Sequence, residues 1–378
     1  MFLIHTEPCD LHAIAATCIL RERGGDVARC IALDFPASET ISFRTSGADR
    51  SSLTWEADGG AVDADAVQGV WYRRPRAIRV PDRVHASDRE YAYNECSELY
   101  RGFSFAPQGA FWVNPIVSQS TASNKVLQLR LAVSLGFQVP ETLVSNQADE
   151  VRAFVGTRGD VIYKPMRGAS WLVDGKVHGT YTTPVAAKDL PSDALLRACP
   201  GIYQRLVRKR FEVRAQFFGH SCIAVRIDSN RMEYGEYDWR RHQLTSSPNA
   251  TPVELPEAVN GLCLRMMREL GIVSGAFDFI VDVDGDWVFL EVNPVGQFAF
   301  LELWCPDLPV MSTFCDFLES RDPCFRFAGR GHHVALADVV ASEPFKAMMA
   351  DDKSRYDHRD IGRRPVMEEQ SNPTTQEV

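Results

Sequence analysis

Apolar and polar positions along the chain recur with two spacings, and the elements change where the spacing changes. The opening MFLIH is an apolar run of buried-strand type, followed by a polar turn, a helical spacing from about Asp10 to Arg23 and a second strand at VARCIALDF. That β-α-β order predicts an α/β unit. Strands are expected around Ile41 to Phe43, Leu53 to Trp55 and Gly69 to Trp71, and Asp88 to Leu99 reads as a helix opened by Ser87 as N-cap. WVNPIVSQSTASNKVLQLRLAVSLGFQVPETL then gives a loop, a helix from about Ser123 to Leu135, a stop at Gly136 and an exit strand after Pro140. A domain boundary fits near Ser118.

From VIYKPMRGAS onward, strands alternate with glycine-rich and polar turns, and Asp174-Gly175 marks a hairpin. IYQRLVRKRFEVRAQFFGHSCIAVRIDS holds several short apolar runs, Pro256 to Leu270 is a helix closed by Gly271, and PVMSTFCDFLES is another helix. The segment from about Ala350 to Val378 is polar and poor in core residues, so it is expected to be largely mobile. No internal repeat is visible. The expected division is 1–118, 119–200, 201–330 and a C-terminal extension over 331–378.

At 378 residues the chain exceeds what one core usually serves, so two or three cooperating domains are expected. Its 45% hydrophobic and 24% charged residues are those of an ordinary globular protein. A net charge of −9 argues against a polyanion-binding surface, so nucleic acid is not expected as a principal partner. The ten cysteines form no C-x-x-C pair and no zinc spacing, and read as reduced core fillers. The N-terminus lacks a basic n-region, and no stretch approaches the roughly 18 apolar residues of a membrane span, so a cytoplasmic protein without a membrane partner is expected.

Candidate chemistry concentrates in GAFDFIVDVDGDWVFLEVNP, Gly275 to Pro294, where two alternating strands flank a DGD turn. If Asp284 and Gly285 form a two-residue turn, Asp278 falls opposite Glu291, and Asn293 faces the same side by the period-two rule. Hard oxygen ligands with little Cys or His nearby suit Mg²⁺, and the lesser alternative, for the hairpin taken alone, is an exposed acidic one. DVDGD resembles part of a calcium loop but lacks its glutamate at position twelve and its flanking helices, so a solvated turn is the better reading. Lys164 precedes the small-residue loop PMRGAS and Lys125 lies near a helix start; each is either a phosphate contact or a solvated surface charge. Arg214 and Arg226 lie in apolar runs, where guanidinium demands an anion: a structural pair with Glu212 or Asp228, or a transferring phosphoryl group. No Walker A pattern occurs, which excludes an ordinary P-loop.

Together Lys125, Lys164, QRLV, E-V-R at 212 to 214, Arg226 and D…E-V-N resemble the ATP-grasp ligase pattern over about Asn114 to Leu318. VWYRRP, SNKVLQLRLAVSLGFQVPETLVSN, the D-W-R triplet and EVNPVGQFAFLE are similar, more narrowly, to the ATP-grasp maturases of ribosomal peptides, the microviridin-type or graspetide synthetases. The resemblance implies an α/β chain with an N-terminal pre-ATP-grasp domain before two α+β lobes around ATP. It further implies phosphate contacts from Lys125 and Lys164, and a strand beside adenine from Gln204 through Leu206 to Val207. Mg²⁺ ligands are implied at Asp278, Glu291 and Asn293, catalytic roles at Arg214 and Arg226, which face the γ-phosphate, and at Arg240 in the substrate- and leader-engaging D-x-R loop, and substrate contacts at Glu212 and Asp238. A ribosomal precursor peptide is the implied partner, its leader docking near 171–181, and a homodimer is compatible with the pattern. Many members read E-I-N-P-N-G-Q-W where this chain has Val295 and Phe298, so substrate placement beside Gln297 is expected to differ. The adjacent His332 and His333 carry no assigned role. An ATP-grasp ligase of free amino acids would share every phosphate and metal residue, and a non-catalytic nucleotide- or peptide-binding protein would have no need to keep them.

Overall fold

The structure, a computed structural model, describes residues 1–47, 51–57, 60–157, 159–167, 170–173, 176–179, 182–229, 249–328 and 333–356. The first unit is the expected α/β layer: β1 (Phe2–Thr6), α1 (Leu11–Glu22) and β2 (Val27–Ile31) form a β-α-β crossover unit with parallel β1 and β2. A three-stranded meander follows, β3 (Thr40–Thr45), β4 (Ser51–Ala57) and β5 (Gly60–Asp63). Then come β6 (Gly69–Tyr72), α2 (Arg89–Phe105) and β7 (Phe111–Val113), which complete a parallel sheet in the order β2-β1-β6-β7. Asp10 caps α1 by accepting from the His12 amide, so the helix starts one residue inside the expected range.

The helix expected from about Ser123 to Leu135 is α4 (Lys125–Leu135), which starts where Asn124 turns its side chain back as a cap, and a further helix, α3 (Ile116–Ala122), stands where a loop was expected. The expected boundary at Ser118 therefore falls inside α3. The central lobe comprises β8 (Thr142–Ser145), α5 (Ala148–Thr157), β9 (Val161–Lys164), the paired β10 (Ser170–Val173) and β11 (Lys176–Gly179), β12 (Thr183–Val185), α6 (Asp193–Ala198) and β13 (Gly201–Arg205). Its sheet runs β12-β9-β13-β8, so the division expected at 200 cuts off a strand that belongs to this lobe. Asp174 and Gly175, the expected hairpin turn, lie outside the described residues.

The C-terminal lobe contains β14 (Lys209–Phe218), β15 (Ser221–Ile227), β16 (Ala250–Pro252), α7 (Glu257–Leu270), β17 (Ser274–Asp282), β18 (Trp287–Asn293), α8 (Ala299–Trp304), α9 (Val310–Ser320), α10 (Leu336–Ala341) and α11 (Glu343–Arg355). Its antiparallel sheet runs β16-β15-β14-β17-β18. One face, with Val213, Ala215, Phe217, Phe277, Phe279 and Phe289, packs on α7 and on Ala132 of α4. Residues of the opposite face, Phe218, Val225 and Ile227, join a core shared with α1, α9, α10 and α11.

The expectation of mobility from Ala350 fails over its first residues. Asp352 is fully buried and takes a two-pronged contact from Arg29 (2.8 and 2.9 Å) and the Cys9 amide (2.7 Å). Tyr356 is buried with its hydroxyl 2.6 Å from the Asp34 carboxylate. The remainder, 357–378, lies outside the described residues. Among the described residues no helix is long and apolar enough to cross a membrane.

Candidate active site

Sheet register builds the site. β14 pairs with β17 so that Arg214 lies opposite Asp278, and β17 pairs with β18 so that Asp278 lies opposite Glu291. Directly opposed residues share a face, so one guanidinium and two carboxylates stand in a row across three strands. This pairing is reached by an unexpected route. Val281 pairs with Trp287, so the connection is a residue longer than the expected two-residue turn, with Gly285 at φ 96° and Asp282 accepting from the amides of Asp284 (3.0 Å) and Asp286 (2.9 Å). Beyond Phe279, which pairs with Phe289, the register shifts, and Leu290 is the extra residue that restores Asp278 to Glu291.

Arg214 Nη1 donates to both Asp278 oxygens (2.9 and 2.7 Å), and Nη2 donates to the Gln297 carbonyl (3.2 Å). Among the described residues its buried Nε has no hydrogen-bond acceptor, an N–H left for an anion to satisfy. Lys125 opens α4 and reaches Glu291 Oε2 at 3.3 Å and the Pro165 carbonyl at 3.4 Å. Asn124 already accepts from the amides of Val126 and Leu127, so the charge of Lys125 is the main thing this helix start offers a phosphate. In the other sheet Lys164, the last residue of β9, donates to Gln204 Oε1 (2.7 Å), and Gln204 Nε2 donates to Thr142 Oγ1 (2.8 Å), a relay across β9, β13 and β8. β13 ends at Arg205, so Leu206 and Val207 are the half-buried start of the link between the two sheets rather than strand residues.

Arg226 is corrected. It pairs in register with Val213, which places it on the face opposite Arg214 by the alternation of the pleat. There its guanidinium sits 4.2 Å from the Phe211 ring and is bound to Asp228 (2.9 and 2.7 Å), the structural ion pair that the sequence left open. Glu212 does share the face of Arg214, but its carboxylate is buried and taken by Lys209 and by Ser229 Oγ (2.8 Å), so it is held within its own sheet. Asp238 and Arg240 lie outside the described residues, as does His332.

Sequence reasoning missed a second group that meets this site from the N-terminal unit. Arg73 Nε bonds Asp10 Oδ2 (2.6 Å) and its Nη1 reaches the Gly296 carbonyl (2.7 Å). His12 Nε2 accepts from the amides of Phe298 (3.0 Å) and Ala299 (2.9 Å), and Asn114 Nδ2 donates to the Pro294 carbonyl (2.7 Å). Burial and then the charge of Arg73 lower the His12 pKa to about 4, so the ring is neutral and able to accept. Burial pushes the Asp10 carboxyl up, but Arg73 and the bonds with His12 outweigh it and hold it well below the usual carboxylate range. The available signal was an arginine in the apolar run VWYRRP. Its carbonyl partners lie more than two hundred residues away, beyond any local pattern.

Two carboxylates and an exposed amide oxygen on one face form a hard-oxygen set, and among the described residues no cluster of three or more His, Cys, Asp or Glu competes with it. That set fits Mg²⁺, which usually takes one or two protein carboxylates and completes its shell with phosphate and water, and fits zinc or copper poorly. The cations on Asp278 and Glu291 already mark where positive charge is needed.

Residues 1–120 match the MvdD pre-ATP grasp domain. A RiPP-associated ATP-grasp ligase from Chryseobacterium gregarium, solved with ADP and a leader and core peptide, superposes with TM-score 0.79 at 25% identity, covering 85% of this chain and 97% of that one. The macrocyclase MdnC from Microcystis aeruginosa MRC, bound with the precursor peptide MdnA, gives TM-score 0.73 at 28% identity over 85% of this chain and 100% of its own. D-cycloserine synthetase DcsG, at TM-score 0.52 and 16% identity over 85% and 99%, shares the fold alone. No curated protein matches the chain by sequence. The fold and site thus define an ATP-grasp ligase, an ATP-dependent enzyme with a pre-ATP-grasp domain at its N-terminus. Within that class the chain is similar to the graspetide maturases.

Proposed function

We propose that this ligase activates Asp or Glu side chains of a ribosomal precursor peptide and closes ester or amide crosslinks within it. The observation that carries the reading is the row Arg214–Asp278–Glu291 with Lys125 at one end, in a sheet joined by a short link to the sheet that holds Lys164 and Gln204. ATP is the phosphoryl donor. A side-chain carboxylate oxygen attacks the γ-phosphorus and ADP leaves; a Thr or Ser hydroxyl or a Lys amine then attacks the acyl carbon, phosphate leaves, and the nucleophile's proton passes to phosphate or solvent. Such chemistry rests on alignment and charge neutralisation more than on a covalent enzyme nucleophile. Asp278, Glu291 and Asn293 would hold Mg²⁺, which neutralises phosphate charge. Arg214, with its unsatisfied Nε, faces the oxygens on which negative charge gathers, and Lys125 and Lys164 neutralise phosphates from the two sides. The likeness to ligases solved with leader and core peptides supports a peptide acceptor, and the paired β10 and β11 are where a leader would dock.

The test is co-expression with a short peptide, encoded nearby, that carries Thr, Ser or Lys together with Asp or Glu. One water is lost per bond, and tandem mass spectrometry places each bond on an acidic side chain. A peptide of unchanged mass in the presence of ATP and Mg²⁺, with free amino acids stimulating ADP release instead, would transfer the assignment to an amino-acid ligase.

A further inference from the structure

Between Asn293 and α8 the main chain is gripped almost residue by residue, and most of the grip comes from the other end of the sequence. Asn114 binds the Pro294 carbonyl at 2.7 Å and completes its amide on Ser274 and Val273, with its oxygen accepting from both their amides (3.0 and 2.8 Å) and its nitrogen donating to the Ser274 carbonyl (2.9 Å). Arg73 holds the carbonyls of Val295 (3.4 Å) and Gly296 (2.7 Å), and His12 holds the amides of Phe298 and Ala299. Arg73 and Asn114 are 2% and 0% exposed, so neither is a solvated surface contact. Inside this grip Asn293 Oδ1 accepts from the amides of Val295 and Gly296 (both 3.1 Å), and Arg214 takes the Gln297 carbonyl. Gly296 has φ 59°, and a Cβ there would stand 3.1 Å from Gln216 Oε1, so the loop has little freedom to repack.

The geometry points to Asp10, His12, Arg73 and Asn114 as positioning residues of the N-terminal domain: they fix the 293–299 main chain, and through it the Asn293 amide oxygen, in the orientation that receives Mg²⁺. This rests on the metal role proposed for Asn293. Neutral His12 supplies acceptance rather than charge; with Nε2 accepting two amides, its ring proton sits on Nδ1, 3.6 Å from Asp10. The pre-ATP-grasp domain then contributes to the active site without touching substrate.

The test measures binding of AMPPNP by calorimetry with Mg²⁺ and with EDTA, for the full chain and for His12→Gln, His12→Leu, Arg73→Lys and Tyr356→Phe. Tyr356, just past the C-terminal helix, is a control whose buried hydroxyl bonds Asp34 rather than this group, and whose loss also costs stability. His12→Leu is expected to remove at least tenfold of the affinity gained from Mg²⁺, while His12→Gln, whose amide oxygen can accept in place of Nε2, stays within about threefold of the parent. Arg73→Lys keeps a charge for Asp10 but loses the fork to the carbonyls, and falls between them; it carries the test if His12→Leu does not fold. With peptide turnover, kcat is expected to fall more than the peptide KM rises. Equal Mg²⁺-dependent gains in the parent and in the folded His12→Leu or Arg73→Lys would overturn the inference, as would an equal loss in Tyr356→Phe. Failure of the parent itself to gain affinity from Mg²⁺ would instead overturn the site on which the inference rests.

Discussion

Arg214 and Arg226 are indistinguishable by their surroundings in the sequence, each an arginine in a short apolar run, and the pleat sends them to opposite faces of one sheet. Replacing Arg214 with Ala is therefore expected to remove on the order of 3 kcal/mol of transition-state stabilisation, by analogy with loss of a single charge-stabilising donor, whereas Arg226→Ala keeps turnover near the parent level. Steady-state kinetics on the two variants separates these outcomes, and equal losses would restore Arg226 to the site. Two buried histidines give a prediction in pH. In the unfolded chain both take a proton near pH 6.5; folded, burial holds His5 near 3 and His12 near 4. Below pH 6.5 the unfolded state thus binds more protons, so stability falls with acid by up to about 1.4 kcal/mol per pH unit for each ring, until the folded rings themselves protonate. Asp10, held low, adds its own loss only below the ordinary carboxylate range. Urea unfolding between pH 6.5 and 4.5 should show a shallower slope for His12→Gln than for the parent; an unchanged slope would mean that His12 is not kept neutral.

The hairpin of β17 and β18 was legible in its outcome and not in its construction. Acids at the far end of alternating strands predicted Asp278 beside Glu291. The longer turn and the bulge at Leu290 offset one another, and nothing distinguishes Leu290 in the sequence from a regular strand residue. Asp282 spends its side chain on the turn amides, so Asp282→Ala should cost about 1 kcal/mol of stability and leave Mg²⁺-dependent AMPPNP binding unchanged. A change in metal affinity would reopen the calcium-loop reading of DVDGD. The last helix was illegible for a different reason. α11 reads EPFKAMMADDKSR, with few apolar residues to announce a packed face, and its hold on the first unit comes from Phe345 and from a buried carboxylate whose partner is Arg29. Asp352→Ala leaves that arginine with no carboxylate and is expected to lower unfolding stability by about 3 kcal/mol or more, measured by urea titration.

The largest core joins α1 and β1 of the N-terminal unit to α8, α9, α10 and α11, while the central lobe has a small core of its own around Val151, Val155, Val161, Leu196 and Tyr203. This predicts unequal opening. Amides of β9 and β13 should exchange with solvent faster than those of β14 and β17, and Mg²⁺ with AMPPNP should slow the former more; uniform exchange across both sheets would count against a separately mobile lobe. The order of domains was readable because helix and strand spacings are local. The shared core was not, because it is assembled from the two ends of the chain. That arrangement also sets a timetable for synthesis. The apolar face of α1 is made long before its cover over Glu343–Arg355, so at ~5–20 residues per second a nascent chain carries an unfinished hydrophobic surface for some tens of seconds. Until α11 leaves the ribosome, the domain that holds α1 is the one most in need of a chaperone.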